Sequence, residues 1–592
     1  MKKRSFVLHP FFFAIYPMLF FYSHNIKELT LNVVFLPMAI ILGLCLILWF
    51  ILLLFKNQGG IVLSLFFIIF FSYGHLSRLF FGEVVPLFFS VVYLLVFLAL
   101  TVGVFKLKGD LIKFTSILNI ISIALVIFSV YNITYYELKY RVKVSLPDQS
   151  LSSDFFKSKK TELANIQNFP DIYYIIFDRY GSSEVLSEFF DFDNSAFETD
   201  LEKRGFYVAS RSRTNYPYSY LSLASSLNLD YLDFLYEKTG KTNDKTIAYQ
   251  LLKKTRAVQF LKSLGYKYYH LGMWWEPTRI NTLADENFLH KSFETSSFKL
   301  DEFSSKLLQT TLLDFFIQKF SPDKTRKGRG GAQIVLYQFN QLEKIPLMSG
   351  PKFVFAHILI THPPYFFDKD GKILPHEVKK KKKEKELYLN SIQFANKKIL
   401  HLVDKLISDS ARPPLIILQA DEGPRSRLIK SVEELKKADR RLRLRTGILN
   451  TLYLPGADQK LLHKDMSPVN TFRLIFNIYF GTSFNILEDK SFISQSRKNL
   501  YKFKDITKII HVGTVVVRSK PGRARIYLDG KYLEIKTPKT LRGIQPGTHT
   551  LKLTKRLHED YEITFQIKAG ETKTIDAIII LRSEKKAWVS SQ

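Results

Sequence analysis

A chain of 592 residues is too long for one hydrophobic core and is expected to hold two to four domains. The apolar share of 46%, with 52 Phe, is heaviest in the first quarter and the basic residues lie mostly beyond it, which describes a membrane protein with a large basic soluble part. One cysteine, Cys45, excludes an intrachain disulfide and a Cys-based metal site, and a net charge of +31 selects acidic partners, among which the membrane quarter favours lipid or envelope glycan over nucleic acid.

Five apolar stretches of spanning length stand in residues 1–135: Ser5 to His24, Leu31 to Phe55, Ile61 to Phe80, Val85 to Phe105 and Phe114 to Ile133. Lys2, Lys3 and Arg4 precede the first, Lys56 follows the second, and Lys106, Lys108 and Lys113 separate the fourth from the fifth. The other tips carry little basic charge, so the positive-inside rule puts the N-terminus in the cytoplasm and, with five spans, the rest of the chain outside. No span carries a carboxylate, so His9, His24, His75 and Arg78 near the span ends read as interfacial or packing residues, and the bundle as an anchor.

Residues 136–168 are polar and mixed in charge and read as a connector. Pro170 then opens a β-branched and aromatic run too continuous for a one-faced strand, so it is expected at the centre of a sheet, with Asp178 at its C-terminal end where open α/β sheets place ligands. Two helices and a strand from Gly205 lead into a hydroxyl-dense segment, Ser210 to Leu227. It reads either as a Pro-broken loop entering a packed helix, or as a site with a hydroxyl nucleophile at the helix N-terminus. A strand from Tyr266 to Leu271 delivers His270, followed by Trp274, Trp275, Glu276 and Arg279, which read as core and rim or as a grip on a phosphate and an apolar or sugar group.

Ser321 to Gly331 is expected as an exposed loop, and the lysines from Lys379 to Lys385 as a solvated run. The buried strand from Lys352 to Ile360 ends at Thr361-His362-Pro363-Pro364, which favours His362 as a site residue over a turn cap. After a long helix, Tyr388 to Leu406, the strand Pro414 to Gln419 carries Asp421, Glu422 and Gly423. With Asp178 these acids supply carboxylates from two strand ends and, with a hydroxyl, a minimum set for a divalent ion. A last sheet strand by Tyr453 and a helix from Ser467 to Tyr479 close the domain.

In this order the motifs resemble the sulfatase-like branch of the alkaline phosphatase superfamily, and with the five spans the lipoteichoic acid synthase and phosphoethanolamine transferase group. The resemblance covers about residues 1 to 485 and implies an α/β alkaline-phosphatase-like domain over 169–508 that moves a phospholipid head group through a hydroxyl nucleophile. It places the nucleophile at Thr214, or at Asn215 in the strictest register. It implies metal ligands at Asp178, Thr214, Asp421 and Glu422, proton transfer by His362 or His270, and substrate contacts at Trp275, Arg279 and Asn215. Glu422 stands where the group has histidine, so the implied ligand set is all oxygen and favours Mn or Mg over Zn. The alternative is a degenerate member serving as an anchored binding or scaffold module.

Residues 509–583 change to short alternating strands with Asp529-Gly530 and Pro546-Gly547 turns, the pattern of a small all-β sandwich. This part resembles a PEGA domain, which implies a protein or glycan partner in the envelope; residues 584–592 form a tail. The expected location is the inner (plasma) membrane of a bacterium, with the soluble domains on its extracytoplasmic face.

Overall fold

The computed structural model describes residues 6–81, 85–107, 111–139, 141, 169–290, 302–320, 326–425 and 438–582. Most of the expected connector, residues 142–168, and the C-terminal tail lie outside the described residues.

The N-terminal quarter forms five helices: α1 (His9–Asn25), α2 (Asn32–Leu52), α3 (Lys56–Phe81), α4 (Leu87–Lys106) and α5 (Ile112–Lys139). Four of them, with α2 extended by a short turn to Phe55, are long and apolar enough to cross a membrane. The 17 residues of α1 rise about 26 Å. That helix is the hub of the bundle, packed on α2, α3 and α5 around Ala14, Met18, Tyr22, Val34, Cys45, Leu63 and Phe67. The outward faces stay apolar, as at Phe35, Phe50, Phe88 and Ile120.

A polar clasp joins this bundle to the rest of the chain. Arg141, just past α5, donates through Nη2 to the Ile26 and Leu29 carbonyls beyond α1 and to Glu137. Its Nη1 lies 3.6 Å from Asp244 Oδ2, which also accepts from Tyr136 OH at 2.7 Å. Lys245 pairs with Glu28 at 2.5 Å. The central domain is thereby fixed on the end of the bundle where α1 stops.

That domain is built on a seven-stranded sheet in the order β2-β7-β6-β1-β5-β3-β4. The strands are β1 (Ile172–Phe177), β2 (Tyr207–Val208), β3 (Lys267–Leu271), β4 (Glu286–Phe288), β5 (Lys352–Ile358), β6 (Leu415–Gln419) and β7 (Asn450–Tyr453). Five run parallel, while β7 and β2 form an antiparallel edge. Every residue of β1 is buried, because its side chains alternate between two cores. Tyr173, Ile175 and Phe177 enter one cluster, and Ile172, Tyr174 and Ile176 the other. The continuous apolar run is thus explained by burial on both faces.

The Gly-rich stretch expected as a loop is a correction: residues 326–331 open a helix, Arg326–Leu342. A further hairpin, β8 (Phe492–Ser496) with β9 (Asn499–Asp505), covers the domain beside the Ser210–Leu227 segment. The C-terminal domain is a sandwich of two sheets around Val515, Val517, Ile526, Leu551, Leu553 and Phe565. It contains β10 (Gly513–Lys520), β11 (Arg525–Leu528), β12 (Lys531–Lys536), β13 (Lys539–Ile544), β14 (Gly547–Thr554), β15 (Tyr561–Ile567) and β16 (Thr572–Ile578), ordered β13-β10-β16 in one sheet and β12-β11-β14-β15 in the other.

Candidate metal centre and active site

The register of three central strands builds the site. Ile176 of β1 pairs with His357 of β5 on one side and with Gln419 of β6 on the other. Two residues further on, past the ends of the neighbouring strands β1 and β6, come Asp178 and Asp421. Asp178 is held by its own backbone, which donates to the Ile358 carbonyl at 3.0 Å and accepts from Thr361 Oγ1 at 2.6 Å. The turn after Asp421 needs Gly423, where a Cβ would stand 2.2 Å from the Leu444 carbonyl oxygen.

Ligand atoms of Asp178, His357 and Asp421 lie within 4.8 Å of one another, and all three residues are buried. His357 Nε2 is 3.7 Å from Asp178 Oδ2 and 3.8 Å from Asp421 Oδ2. The other ring nitrogen, Nδ1, is 3.2 Å from Thr278 Oγ1, an arrangement that leaves Nε2 to face the carboxylates. Asp178 Oδ1, His357 Nε2 and Asp421 Oδ2 have no hydrogen-bond partner although buried. Buried polar atoms are rarely left so, and three converging ones fit a cation.

The electrostatics agree. Burial opposes ionisation of Asp178, yet His362, His357 and Arg179 outweigh it and hold its carboxyl well below the usual range. Burial and the neighbouring Asp178 charge push Asp421 up. For His357 burial is outweighed by Asp178 and Asp421, and its pKa is raised. Two carboxylates this close are not both comfortable as anions without a cation between them.

Around the cluster opens a cavity of about 820 Å³. Ser219 lines it from the first position of the helix Ser219–Asn228, near enough to Asp421 to favour the ionised form of its carboxyl. Arg179 lines it too, with a left-handed backbone at φ 65° and a buried Nη1 that has no partner. Such strain in a non-glycine residue at a strand end is common where a side chain must be aimed. His362 contributes an unpartnered Nδ1, and its pKa is lowered, chiefly by burial, which keeps the ring neutral at pH 7. Trp275 borders the cavity with its ring edge-on to His357 at 6.0 Å.

Several expected site residues are placed elsewhere. Thr214 is fully buried, its hydroxyl donates toward the Tyr216 and Asp421 carbonyls and lies 2.9 Å from Ser222 Oγ, and it is not among the residues lining the cavity. Asn215 spends both ends of its amide on Ser467, Lys490 and Val469. Glu422 does line the cavity, but its carboxylate is held between Arg179 Nε at 2.7 Å and Arg445 Nη2 at 2.5 Å, so it is an ion-pair partner where a ligand was expected. His270 uses Nδ1 on Tyr268 OH and Nε2 on the Thr278 carbonyl, and burial lowers its pKa to about 4. It is a neutral ring that supports Thr278, and through it His357. Arg279 is not among the residues lining the cavity.

With His357 in place of Glu422 the donor set becomes one nitrogen and two carboxylates, which removes the all-oxygen ground for preferring Mn or Mg over Zn. Three site residues had escaped the sequence reading. His357 sits inside a run of core residues; its polarity within an otherwise apolar strand was the available signal. Ser219 was one hydroxyl among many, and Arg179 stood next to a recognised acid.

No curated protein matches the chain. Solved structures similar to it include the C-terminal periplasmic domain of EcEptC from Escherichia coli, at 13% identity over 58% of this chain and 94% of that one, TM-score 0.38. Lipooligosaccharide phosphoethanolamine transferase A from Neisseria meningitidis is 11% identical over 80% of this chain and 96% of that one, TM-score 0.33. A protein in the alkaline phosphatase superfamily from Vibrio parahaemolyticus is 8% identical over 68% and 83%, TM-score 0.35. At the C-terminal end, residues 512–579 match the PEGA domain family.

Proposed function

We propose that the protein is a membrane-anchored phosphotransferase or phosphodiesterase that takes a phospholipid head group, phosphoethanolamine or glycerol phosphate, and passes it to an envelope glycan, a lipid or water. One observation carries this reading: five buried or half-buried polar groups without protein partners, on Asp178, Arg179, His357, His362 and Asp421, converge beside an accessible hydroxyl at a helix N-terminus. The cavity that Asp178, Arg179, His357 and His362 line is also lined by Phe21, Asn25 and Leu29 at the end of α1, which brings it to the membrane anchor.

Asp178, His357 and Asp421 would hold one divalent ion, Zn, Mn or Mg. When bound, such an ion lowers the pKa of a hydroxyl and offsets charge on phosphoryl oxygens. Ser219 Oγ is the nucleophile, placed in the cavity at the first position of its helix and favoured by the helix N-terminus behind it. It attacks phosphorus, its proton passes by way of His362 Nδ1 to the diacylglycerol oxygen as the bond from phosphorus to that oxygen breaks, and the head group is left as an ester on Ser219. Arg179 Nη1 binds a non-bridging oxygen as charge develops. In the second step His362, neutral at pH 7, takes the proton of the acceptor hydroxyl through Nδ1 and returns it to Ser219 Oγ as the ester bond breaks. His270 acts at one remove, through Thr278, as a positioning residue, and Trp275 packs against the bound group.

On this reading all five N-terminal helices belong to the membrane anchor, with the N-terminus in the cytoplasm and the central and PEGA-like domains on the extracytoplasmic side of a bacterial inner membrane. The C-terminal domain holds envelope glycan or protein. The test uses the full chain in phosphatidylethanolamine vesicles: divalent-ion content, release of diacylglycerol, and mass spectrometry of the peptide containing Ser219. About one ion per chain, diacylglycerol release and a modified Ser219 are expected. No ion taken up from Zn, Mn or Mg buffers would sink the enzyme and leave the anchored binding module.

A further inference from the structure

Residues 302–320 belong by sequence to the central domain, yet they pack among the N-terminal helices. The helix Glu302–Leu308 puts Phe303 and Leu307 into the core of the bundle, with Phe303 on Phe21 of α1 at 5.3 Å between ring centroids. After a turn at 309–312 the helix Leu313–Phe320 brings Phe315 to Tyr73 of α3. Backbone bonds fix the depth of the turn. Gly74 N–H donates to the Thr310 carbonyl at 2.9 Å, and Leu312 N–H donates to the Phe70 carbonyl at 2.9 Å.

Gly74 lies seven residues before the end of α3 at Phe81, about 10 Å along the helix, and Phe70 lies about 16 Å along it. From the His9–Ser64 bond α1 rises about 24 Å to Asn25 and α3 about 26 Å to Phe81, so their ends fall near one level. Tyr22 bonds Glu137 at one height, and His9 bonds Ser64 and Asn119 at a lower one. The turn therefore lies inside the bundle, below its rim. Only a glycine admits it, since a Cβ at position 74 would come within 2.3 Å of the Gln309 carbonyl oxygen.

Irregular backbone is tolerated at membrane depth where protein groups satisfy it. This turn meets that condition. The Leu307 and Leu308 carbonyls accept from the Thr310 and Thr311 hydroxyls at 2.7 Å, the Gln309 carbonyl from Arg78 Nη2 at 3.3 Å, and the Thr310 carbonyl from Gly74. Beside it Leu313 is 44% exposed and Phe316 41%, while the exposed Arg78 of α3 turns back onto Gln309. Buried backbone groups must be satisfied in water and in lipid alike, so the part of this arrangement that selects hydrocarbon is the exposure of two large apolar side chains on so short a hairpin.

We propose that residues 302–320 form a re-entrant hairpin that enters the outer leaflet of the bilayer, contacts acyl chains through Leu313 and Phe316, and walls the catalytic cavity on its membrane side through Glu302, Phe303 and Lys306. The placement rests on α2 to α5 crossing the membrane and holds whether or not the site turns over.

The test places the full chain in phosphatidylcholine and phosphatidylglycerol vesicles. Leu313→Cys and Phe316→Cys in a Cys45→Ala chain carry spin labels, with Ile120→Cys on α5 and Leu461→Cys on the central domain as membrane and water references. Labels at 313 and 316 are expected to collide with oxygen as the one at 120 does and to be at least about tenfold less accessible to a water-soluble nickel chelate than the one at 461. Accessibility equal to that at 461 overturns the proposal. The unaltered protein gives a second readout with a phosphatidylcholine bearing a diazirine on its acyl chain. Labelling of the peptide spanning 313–316 along with α4 is expected, and labelling of α4 without it overturns the hairpin.

Discussion

Two sets of polar residues lie side by side at the strand ends, and they differ in one respect. Thr214, Asn215 and Glu422 have every polar group engaged by protein, whereas Asp178, His357 and Asp421 each leave a buried atom without a partner. The first set spends its hydrogen bonds on holding the loop and the Asp421 turn in place. The second set forgoes them, at a cost in stability that folding alone would not select. Satisfied polar groups thus mark scaffold here, and unsatisfied ones mark the candidate site.

The contrast is tested most severely at the reacting hydroxyl. Ser219→Ala is expected to lower turnover by about 10⁴-fold or more with ion content unchanged, whereas Thr214→Val should lose stability in a melting experiment. Equal loss of turnover with Thr214→Val in a folded protein would reverse the assignment. Asp421→Asn should abolish ion uptake, read by elemental analysis, and yet raise the melting temperature of the ion-free protein, because it removes one of two facing carboxylates.

Glu422→Gln belongs to the other class. It leaves two guanidinium groups without their carboxylate and is expected to cost about 3 kcal/mol in denaturant unfolding while the ion is still bound. The neutral ring of His270 gives a pH signature. Its folded pKa of about 4 lies below the unfolded value of 6.5, so the unfolded chain binds more protons between these limits. Stability should be unaffected by this group above pH 6.5 and fall by about 3 kcal/mol as pH drops toward 4, and His270→Gln should remove that fall. The smallest effect is expected at Thr278→Val, about 10- to 100-fold in ion affinity, read by competition with a chelator.

Much of this architecture was legible in the chain. The run from Pro170 to Asp178 and the pair Asp421-Glu422 announced strand ends, because a β-branched stretch that stops at an acid has few other readings. Choosing between Asp421 and Glu422 needed the third dimension, since Arg445 reaches Glu422 from 23 residues away. His357 was hidden by its own strand, where burial that marks core and burial that marks a ligand look alike in one dimension. The Ser210–Leu227 segment offered many hydroxyls, and only the helix start at Ser219 separated the accessible one from those packed beneath it. The 302–320 hairpin left no trace of its place, because two short amphipathic helices read the same whether they lie on a soluble domain or inside a bundle.

The clasp at Arg141 and the mixed lining of the cavity bear on how the molecule is handled at the bench. A fragment beginning after α5 would retain Asp178, His357, Asp421 and Ser219, and so would report ion affinity faithfully. It would also lack Phe21, Asn25, Glu28 and Leu29, so one side of the substrate chamber would stand open to solvent. On the proposed function, selectivity measured on such a fragment would differ from that of the full chain, because the chamber that would discriminate among lipids is walled by both halves of the chain.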